Sequence, residues 1–165
     1  MRVLRIAAVV CAAAAILAAP VSAAPATPGD SVGGVGIRLS GNRVQYTVSV
    51  KGGPSGPIGS FLYRAIDFRL TFGGTATCFD IDGNQAAVGG WITHVQGNPD
   101  LRGQAYLVFF EDNGPSGDIV SQTYILPDDG GVVDVPGDFP DTCPDAATTA
   151  HDAYDVLGNF VVADR

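Results

Sequence analysis

Two stretches of the chain carry an apolar residue at every second position. Residues 44–50 and 66–72 alternate strictly between apolar and polar side chains. Successive side chains of a β-strand point to opposite faces, so this period of two predicts two strands that each bury one face. A third stretch, residues 105–110, is apolar at every position, which is typical of a strand that is covered on both sides.

Two Gly-Asn pairs, Gly41-Asn42 and Gly83-Asn84, each lie between two short apolar runs. Gly and Asn tolerate the positive φ angles of a two-residue turn. Each pair therefore predicts a β-hairpin.

Further strands are predicted at residues 118–125 and 159–162, which brings the total to about eight short strands separated by Gly and Pro clusters. This pattern predicts an all-β fold, with a single antiparallel β-sandwich or barrel as the two open alternatives. One short helix is predicted near residues 144–157, because Pro144 lies near its start and Gly158 lies just past its end.

The N-terminal region has the three parts of an export signal. Two arginines are followed by fourteen uncharged residues at 6–19 and then by small residues at the cleavage position. The apolar run is shorter than the roughly 20 residues that a membrane-spanning helix needs, so no membrane span is expected. We predict a signal peptide at residues 1–23, a flexible mature N-terminus at 24–34 and a single secreted β-domain at 35–165.

Of the three cysteines, Cys11 lies in the predicted signal peptide, and Cys78 and Cys143 remain after cleavage. A lone pair of cysteines in an exported domain, without a C-x-x-C motif or zinc-site spacing, is typical of a disulfide. The predicted bond between Cys78 and Cys143 would hold an acidic loop at residues 127–157 against the strand that carries Cys78.

The charge is strongly acidic and unevenly distributed. Without the two arginines of the signal peptide, 7 basic residues oppose 17 acidic ones, a net charge of −10. Residues 103–164 contain twelve of the acids and no Lys or Arg. Nucleic acid and anionic lipid surfaces are therefore not expected as partners.

Few residues are suited to nucleophilic catalysis. His94 and His151 are the only histidines, and no serine lies in a G-x-S-x-G motif. Asp80 and Asp82 share a strand face by parity, but they lead into the turn at Gly83, and turn formation explains them more simply.

Glu111, Asp112, Asn113 and Asp118 are the best candidates for a metal site. They offer four side-chain oxygen ligands on one loop, as hard cations prefer, and extracellular calcium is the expected ion. A hairpin at residues 111–118 would hold Glu111 and Asp118 near each other at its base, while Asp112 and Asn113 point from the turn. The carboxylates then either spread into solvent or are bridged by a cation.

The order of several segments resembles the post-COAP-type domains and related small exported actinobacterial proteins. The resemblance covers roughly residues 32–162 and depends on the Gly83-Asn84-Gln85-Ala86 turn, the aromatic strand at 105–110, Asp112-Asn113-Gly114 and the terminal strand after Gly158-Asn159. It implies a single exported β-domain and no particular activity.

These observations favour an extracellular, non-catalytic binding or adhesion module with a cell-surface or matrix partner. One alternative is a small hydrolase that uses carboxylates near Asp112 and Asp118, which requires a pocket that raises a carboxyl pKa. A second alternative is an envelope or matrix assembly protein, which requires an exposed apolar patch or an open sheet edge.

Overall fold

The computed structural model describes residues 27–38, 40–126, 138–147 and 152–165. The described part contains nine β-strands: β1 (Ser31–Arg38), β2 (Val44–Lys51), β3 (Ile58–Ala65), β4 (Leu70–Asp82), β5 (Gln85–Gln96), β6 (Ala105–Glu111), β7 (Ile119–Val120), β8 (Tyr124–Leu126) and β9 (Tyr154–Ala163). Two short 3-10 turns, Pro99–Leu101 and Gly114–Ser116, are the helical elements among these residues.

Eight of the strands close into a barrel. Their order is β5-β4-β3-β2-β1-β9-β7-β6, and β6 pairs with β5 to complete the ring. All pairings between the strands are antiparallel, and β8 adds a ninth strand to β6. The predicted all-β domain is confirmed, and the barrel is the correct one of the two predicted architectures.

The inside of the barrel is a packed apolar core. Along β2, the side chains at alternate positions from Val44 to Val50 are buried, as the period of two predicts. The aromatic members of this core are Tyr46, Phe61, Phe72, Phe79, Tyr106, Phe110 and Phe160. Burial of this apolar surface is the main force that holds the strands in the barrel.

A second apolar cluster lies on the outer face of β4, β5 and β6, beneath residues 138–147. It consists of Cys78, Ala87, Leu107, Phe109, Tyr124, Cys143 and Ala146, with Phe139 packed against it. The predicted disulfide between Cys78 and Cys143 is confirmed, with Cα atoms 5.1 Å apart. Because residues 105–110 are buried on both faces, the prediction of a strand covered on two sides is also confirmed.

The two predicted hairpins form, but one has a longer connection. Between β4 and β5, the turn has the predicted two residues, and Gly83 adopts a φ of 59°. Between β1 and β2, the last paired residues are Arg38 and Val44, so the connection is longer than Gly41-Asn42 alone.

The prediction of one strand at residues 66–72 is wrong over its first half. Residues 66–69 form the turn between β3 and β4, and Phe68 is 65 % exposed. The Arg43 guanidinium donates hydrogen bonds of 2.7 and 3.1 Å to Oδ1 of Asp67, which fastens this turn to the start of β2. In this turn, the alternation of apolar and polar residues does not reflect burial. The strand that precedes the turn, β3, was not predicted.

The segment predicted as a strand at residues 118–125 contains parts of two strands, β7 and β8, because β7 ends at Val120. A separate prediction, the short helix near residues 144–157, is also wrong where the chain is described. Residues 146–147 form a turn, and β9 begins at Tyr154, where it pairs with Val120.

At the N-terminal side, β1 begins at Ser31, four residues before the expected start of the domain. The predicted signal peptide at residues 1–23 lies outside the described residues, as do residues 127–137 and 148–151 of the predicted acidic loop.

Candidate functional site

The acidic loop at residues 112–118 lies where the barrel closes between β6 and β9, and we call it the seam loop. On one edge, β9 pairs with β1 from Val156 to Ala163. On its other edge, β9 pairs with β7 through Tyr154 and Asp155. Beyond Asp155, no described strand pairs with this second edge, so its backbone N–H groups need other acceptors. An unpaired buried N–H is costly in free energy.

Asp118 supplies acceptors for β9. Its side chain is 2 % exposed, and its carboxylate accepts hydrogen bonds from the N–H of Phe160 and, at 3.2 Å, from the N–H of Asn113. Its backbone carbonyl accepts from the N–H of Val156 at 3.2 Å. The carboxylate thus takes the place that a carbonyl of a neighbouring strand would have.

Asp112 accepts a further N–H group on the same edge of β9, two residues beyond Phe160. Its Oδ2 accepts from the N–H of Val162 at 3.2 Å, and its Oδ1 accepts from the N–H of Gly114 at 3.0 Å. The side-chain amide of Asn84 donates to Oδ1 of Asn113 at 3.1 Å and to the carbonyl of Asp112 at 3.0 Å. The β4–β5 hairpin and the seam loop are therefore joined.

The structure brings three of the four predicted calcium ligands together, but as hydrogen-bond acceptors. Each carboxylate oxygen of Asp112 and Asp118 already accepts a backbone N–H, whereas Glu111 lies at the end of β6, opposite Gln85 and Ile119. Among the described residues, no three His, Cys, Asp or Glu side chains are placed to hold a metal ion. A calcium ion would have to compete with these N–H donors, and calcium binding stays a prediction.

Asp30 is a buried carboxylate that joins the two ends of the described chain. It accepts hydrogen bonds from the N–H of Arg165 at 3.0 Å and from both the N–H and the hydroxyl of Thr27. Burial alone would raise the pKa of Asp30, but these three hydrogen bonds together hold the pKa below its ordinary value.

Asp80 lies on the outer face of β4, beneath the segment that the disulfide holds. Its Oδ2 accepts from the N–H of Ala146 at 2.8 Å. Burial raises the pKa of Asp80 against the effect of this hydrogen bond, and the negative charges of Asp145, Asp82 and Asp30 add to the rise. Asp80 is buried and Asp82 is exposed, so the two aspartates have different surroundings and separate roles.

The histidines add no catalytic group to these carboxylates in the described part of the chain. His94 is exposed near the end of β5, opposite Gly73 of β4. His151 lies outside the described residues. The buried carboxylates Asp30, Asp80 and Asp118 each accept hydrogen bonds from backbone N–H groups, which is a structural use of the carboxylate.

A different site lies at the end of the barrel where β1 ends and β9 begins. It consists of Arg38, Tyr46, Tyr63, Thr123 and Tyr154, and we call it the arginine–tyrosine end. By alternation from the buried Val32, Arg38 is on the inner face of β1. Its guanidinium carbon lies 4.4 Å from the centroid of the Tyr154 ring, a cation–π contact.

Several polar atoms at this end are buried and without partners among the described residues. They are Nε of Arg38, the hydroxyl of Tyr46 and the hydroxyl of Thr123. Burial raises the pKa of Tyr46 well above its ordinary value, while the charge of Arg38 and the nearby Thr123 hydroxyl oppose the rise. Burial also raises the pKa of Tyr63. Thr123 is thus near Tyr46, but the two hydroxyls are not in a hydrogen bond of standard geometry.

The arginine–tyrosine end was not predicted from the sequence, although the sequence contains one signal for it. The inner face of β1 runs through positions 32, 34, 36 and 38, and an arginine occupies the last of them. An inward-facing charge in a strand is unusual enough to mark a candidate site. The five residues come from distant parts of the sequence, so their proximity depends on the closed barrel.

The fold and this end define a closed antiparallel barrel with a cationic, aromatic end. Comparisons with known protein families, curated proteins and solved structures find no match to the chain. In the described residues, no helix has the length and apolar character needed to cross a membrane.

Proposed function

We propose that the protein is a secreted, non-catalytic binding module and that it binds its ligand at the arginine–tyrosine end. The observation that carries this proposal is that the buried acids have hydrogen-bond donors, whereas one guanidinium has no acidic partner in the described part of the chain. Asp30, Asp80 and Asp118 are engaged by backbone N–H groups, whereas Arg38 makes no ion pair among the described residues. A charged group with unused donors beside aromatic rings at the end of a closed barrel is suited to binding.

Export is supported by the N-terminal pattern and by the disulfide, since disulfides persist in oxidising compartments. We expect the mature chain to begin near Ala24 and to be recovered from the medium. Mass spectrometry of the secreted protein measures this N-terminus. Recovery of the chain from the membrane fraction, with residues 1–23 uncleaved, would contradict the proposal.

Binding at the arginine–tyrosine end can be tested before the ligand is known. The small-molecule fraction of the producing culture's medium is added to isotope-labelled protein, and backbone amide shifts are compared with those of Arg38→Met. We expect the shifts to cluster at the ends of β1 and β9 in the wild type and to be lost in the variant. Shifts that persist in Arg38→Met, or no shifts at all, would overturn this placement.

Assembly is a second candidate function, because apolar side chains are exposed on neighbouring strands β1 and β9. Val35 is 45 % exposed, Leu157 is 69 % exposed and Val161 is 53 % exposed. Such side chains can mark a protein–protein contact when they adjoin one another. Sedimentation velocity over a range of concentrations tests this function, and a monomer at all concentrations would argue against self-assembly.

A further inference from the structure

We propose that the ligand of the arginine–tyrosine end is an organic carboxylate with a flat apolar body. This inference depends on the proposed binding function and gives it a ligand class. Its basis is a guanidinium with no carboxylate partner among the described residues, which lies over the Tyr154 ring at an end of the barrel that also contains two buried hydroxyls.

The position of the guanidinium favours a planar anion. Arg38 is half-buried, with its Nε buried and its guanidinium over the Tyr154 ring. One face of the guanidinium is therefore taken by the ring, while its terminal nitrogens are not among the buried unpaired atoms. A guanidinium offers these nitrogens as a planar fork that matches the two oxygens of a carboxylate.

The other polar groups at this end are hydroxyls, which can donate to a carboxylate and carry no negative charge that would pair with Arg38. The Tyr46 and Thr123 hydroxyls are buried near each other, and neither makes a hydrogen bond to any other described residue. The hydroxyl of Tyr106, in the same barrel, is also buried and unpaired there, so an unpaired hydroxyl alone does not define a ligand site. What distinguishes the arginine–tyrosine end is the positive charge that lies beside the donors.

Aromatic rings pack beneath this end, and the half-buried ring of Tyr63 among them favours a flat apolar ligand body. Tyr46 and Tyr63 meet edge to face with ring centroids 5.7 Å apart, and Tyr63 stacks on Phe72 at 4.6 Å. Tyr63 is only half-buried, so part of this network reaches the surface. Aromatic groups prefer to pack on such rings in offset or edge-to-face contacts.

Charge also distinguishes Arg38 from a neighbouring arginine. Arg43 is bound to Asp67 by two hydrogen bonds, so its charge is already compensated. The chain as a whole carries a net charge of −8, which disfavours anions elsewhere on its surface. A carboxylate ligand therefore gains most where an uncompensated guanidinium is partly desolvated.

The test compares three probes of similar shape: benzoate, benzyl alcohol and benzylamine. Binding is measured by amide and side-chain NMR shifts on the wild type, on Arg38→Met and on Arg64→Met. Arg64 is an exposed residue of β3, so its substitution removes the same charge and is the matched control. Circular dichroism and melting curves establish that each variant is folded.

We expect benzoate to bind with shifts centred on Arg38 and Tyr154, and to bind at least about tenfold more tightly than the other two probes. Arg38→Met should remove this preference, and Arg64→Met should keep it. Equal binding of benzyl alcohol or benzylamine would overturn the ligand class, as would equal losses in both variants. A crystal structure with benzoate that shows only a water beside Nε of Arg38 would also overturn it.

The outcomes also separate this inference from the proposed function. If the medium fraction shifts the arginine–tyrosine end but benzoate does not, the carboxylate class is wrong and the binding function remains supported. If neither produces a shift that Arg38→Met removes, both proposals fail. Where Arg38→Met does not fold, Tyr63→Leu replaces it and removes the half-buried ring, with a loss of benzoate affinity expected and an unchanged affinity as the contrary result.

Discussion

Replacement of Asp118 tests whether the seam loop closes the barrel. Asp118→Ala removes both carboxylate oxygens and leaves the N–H groups of Phe160 and Asn113 without their acceptors. Phe160 is fully buried and packs its ring against Phe110 at 4.8 Å, so water cannot easily replace the lost acceptor there. We therefore expect the seam to open in the variant before the rest of the barrel.

The expected fall in the free energy of unfolding follows from the two lost hydrogen bonds. A hydrogen bond to a charged group contributes about 1.5–3 kcal/mol, and a buried N–H left unpaired costs about 1–3 kcal/mol. The carboxylate no longer has to be desolvated, which offsets part of this loss. We expect the free energy of unfolding to fall by about 3–5 kcal/mol and Tm to fall by roughly 10 °C. This is a large share of the roughly 5–15 kcal/mol typical of a domain.

Urea unfolding followed by Trp91 fluorescence measures the global effect, and amide hydrogen exchange at Phe160 and Val162 measures the local opening. Asp155→Ala is the control, because Asp155 is exposed on the same strand and the substitution removes the same charge. We expect Asp155→Ala to change stability by no more than about 0.5 kcal/mol. If Asp118→Ala were equally mild, the seam interpretation would be wrong.

Three further predictions concern the other buried or acidic groups. If calcium binds the seam loop, millimolar calcium should raise Tm and Asp112→Asn should abolish the rise; a shift of less than about 1 °C would mean that the N–H groups bound to Asp112 and Asp118 exclude the ion. Replacing both Cys78 and Cys143 by Ser removes a disulfide that spans 65 residues and should lower the free energy of unfolding by about 4 kcal/mol. Urea unfolding measures this loss, and an unchanged urea midpoint would contradict the estimate. The raised pKa of Asp80 means that the folded state holds its proton more tightly, so the contribution of Asp80 to stability should fall as pH rises from the ordinary value of 3.8, while the lowered pKa of Asp30 acts in the opposite direction. The stability of Asp80→Asn relative to the wild type should therefore rise over this range, and parallel pH profiles would contradict this.

The parts of the fold that could be predicted are those in which burial alone determines the residue type. The strand at residues 44–50 alternates because one face lines the core, and residues 105–110 are apolar throughout because two clusters cover them. The Cys78–Cys143 pair followed from the number of cysteines and the expected compartment. Each of these inferences needs only local sequence or a simple count.

The errors fall where a partner distant in sequence decides the structure. Residues 66–69 alternate like a strand, but Arg43, more than twenty positions earlier, binds Asp67 and fastens a turn. Likewise, β9 begins at Tyr154 because Val120 and Arg38 lie beside its first residues. A pattern read along one segment contains no information on these contacts.

The seam loop shows the same limit for the candidate site. The sequence predicted that Glu111 and Asp118 would lie near each other at the base of a hairpin, with solvent or a cation as the two ways to relieve their repulsion. The structure instead engages Asp112 and Asp118, since N–H groups of β9 and of the loop itself donate to both carboxylates. These donors belong to the strand that closes the barrel, and only the closed ring brings β9 to the loop.

This use of carboxylates also explains why the abundant acids do not by themselves indicate a catalytic function. A barrel that closes through the two-residue strand β7 leaves backbone N–H groups on β9 to be satisfied, and short acidic side chains reach them. Within the described residues, the buried acids are thereby engaged, while the guanidinium of Arg38 lies over a ring and forms no ion pair. Because this guanidinium is half-buried and has no acidic partner among the described residues, the arginine–tyrosine end is where we propose that a ligand binds.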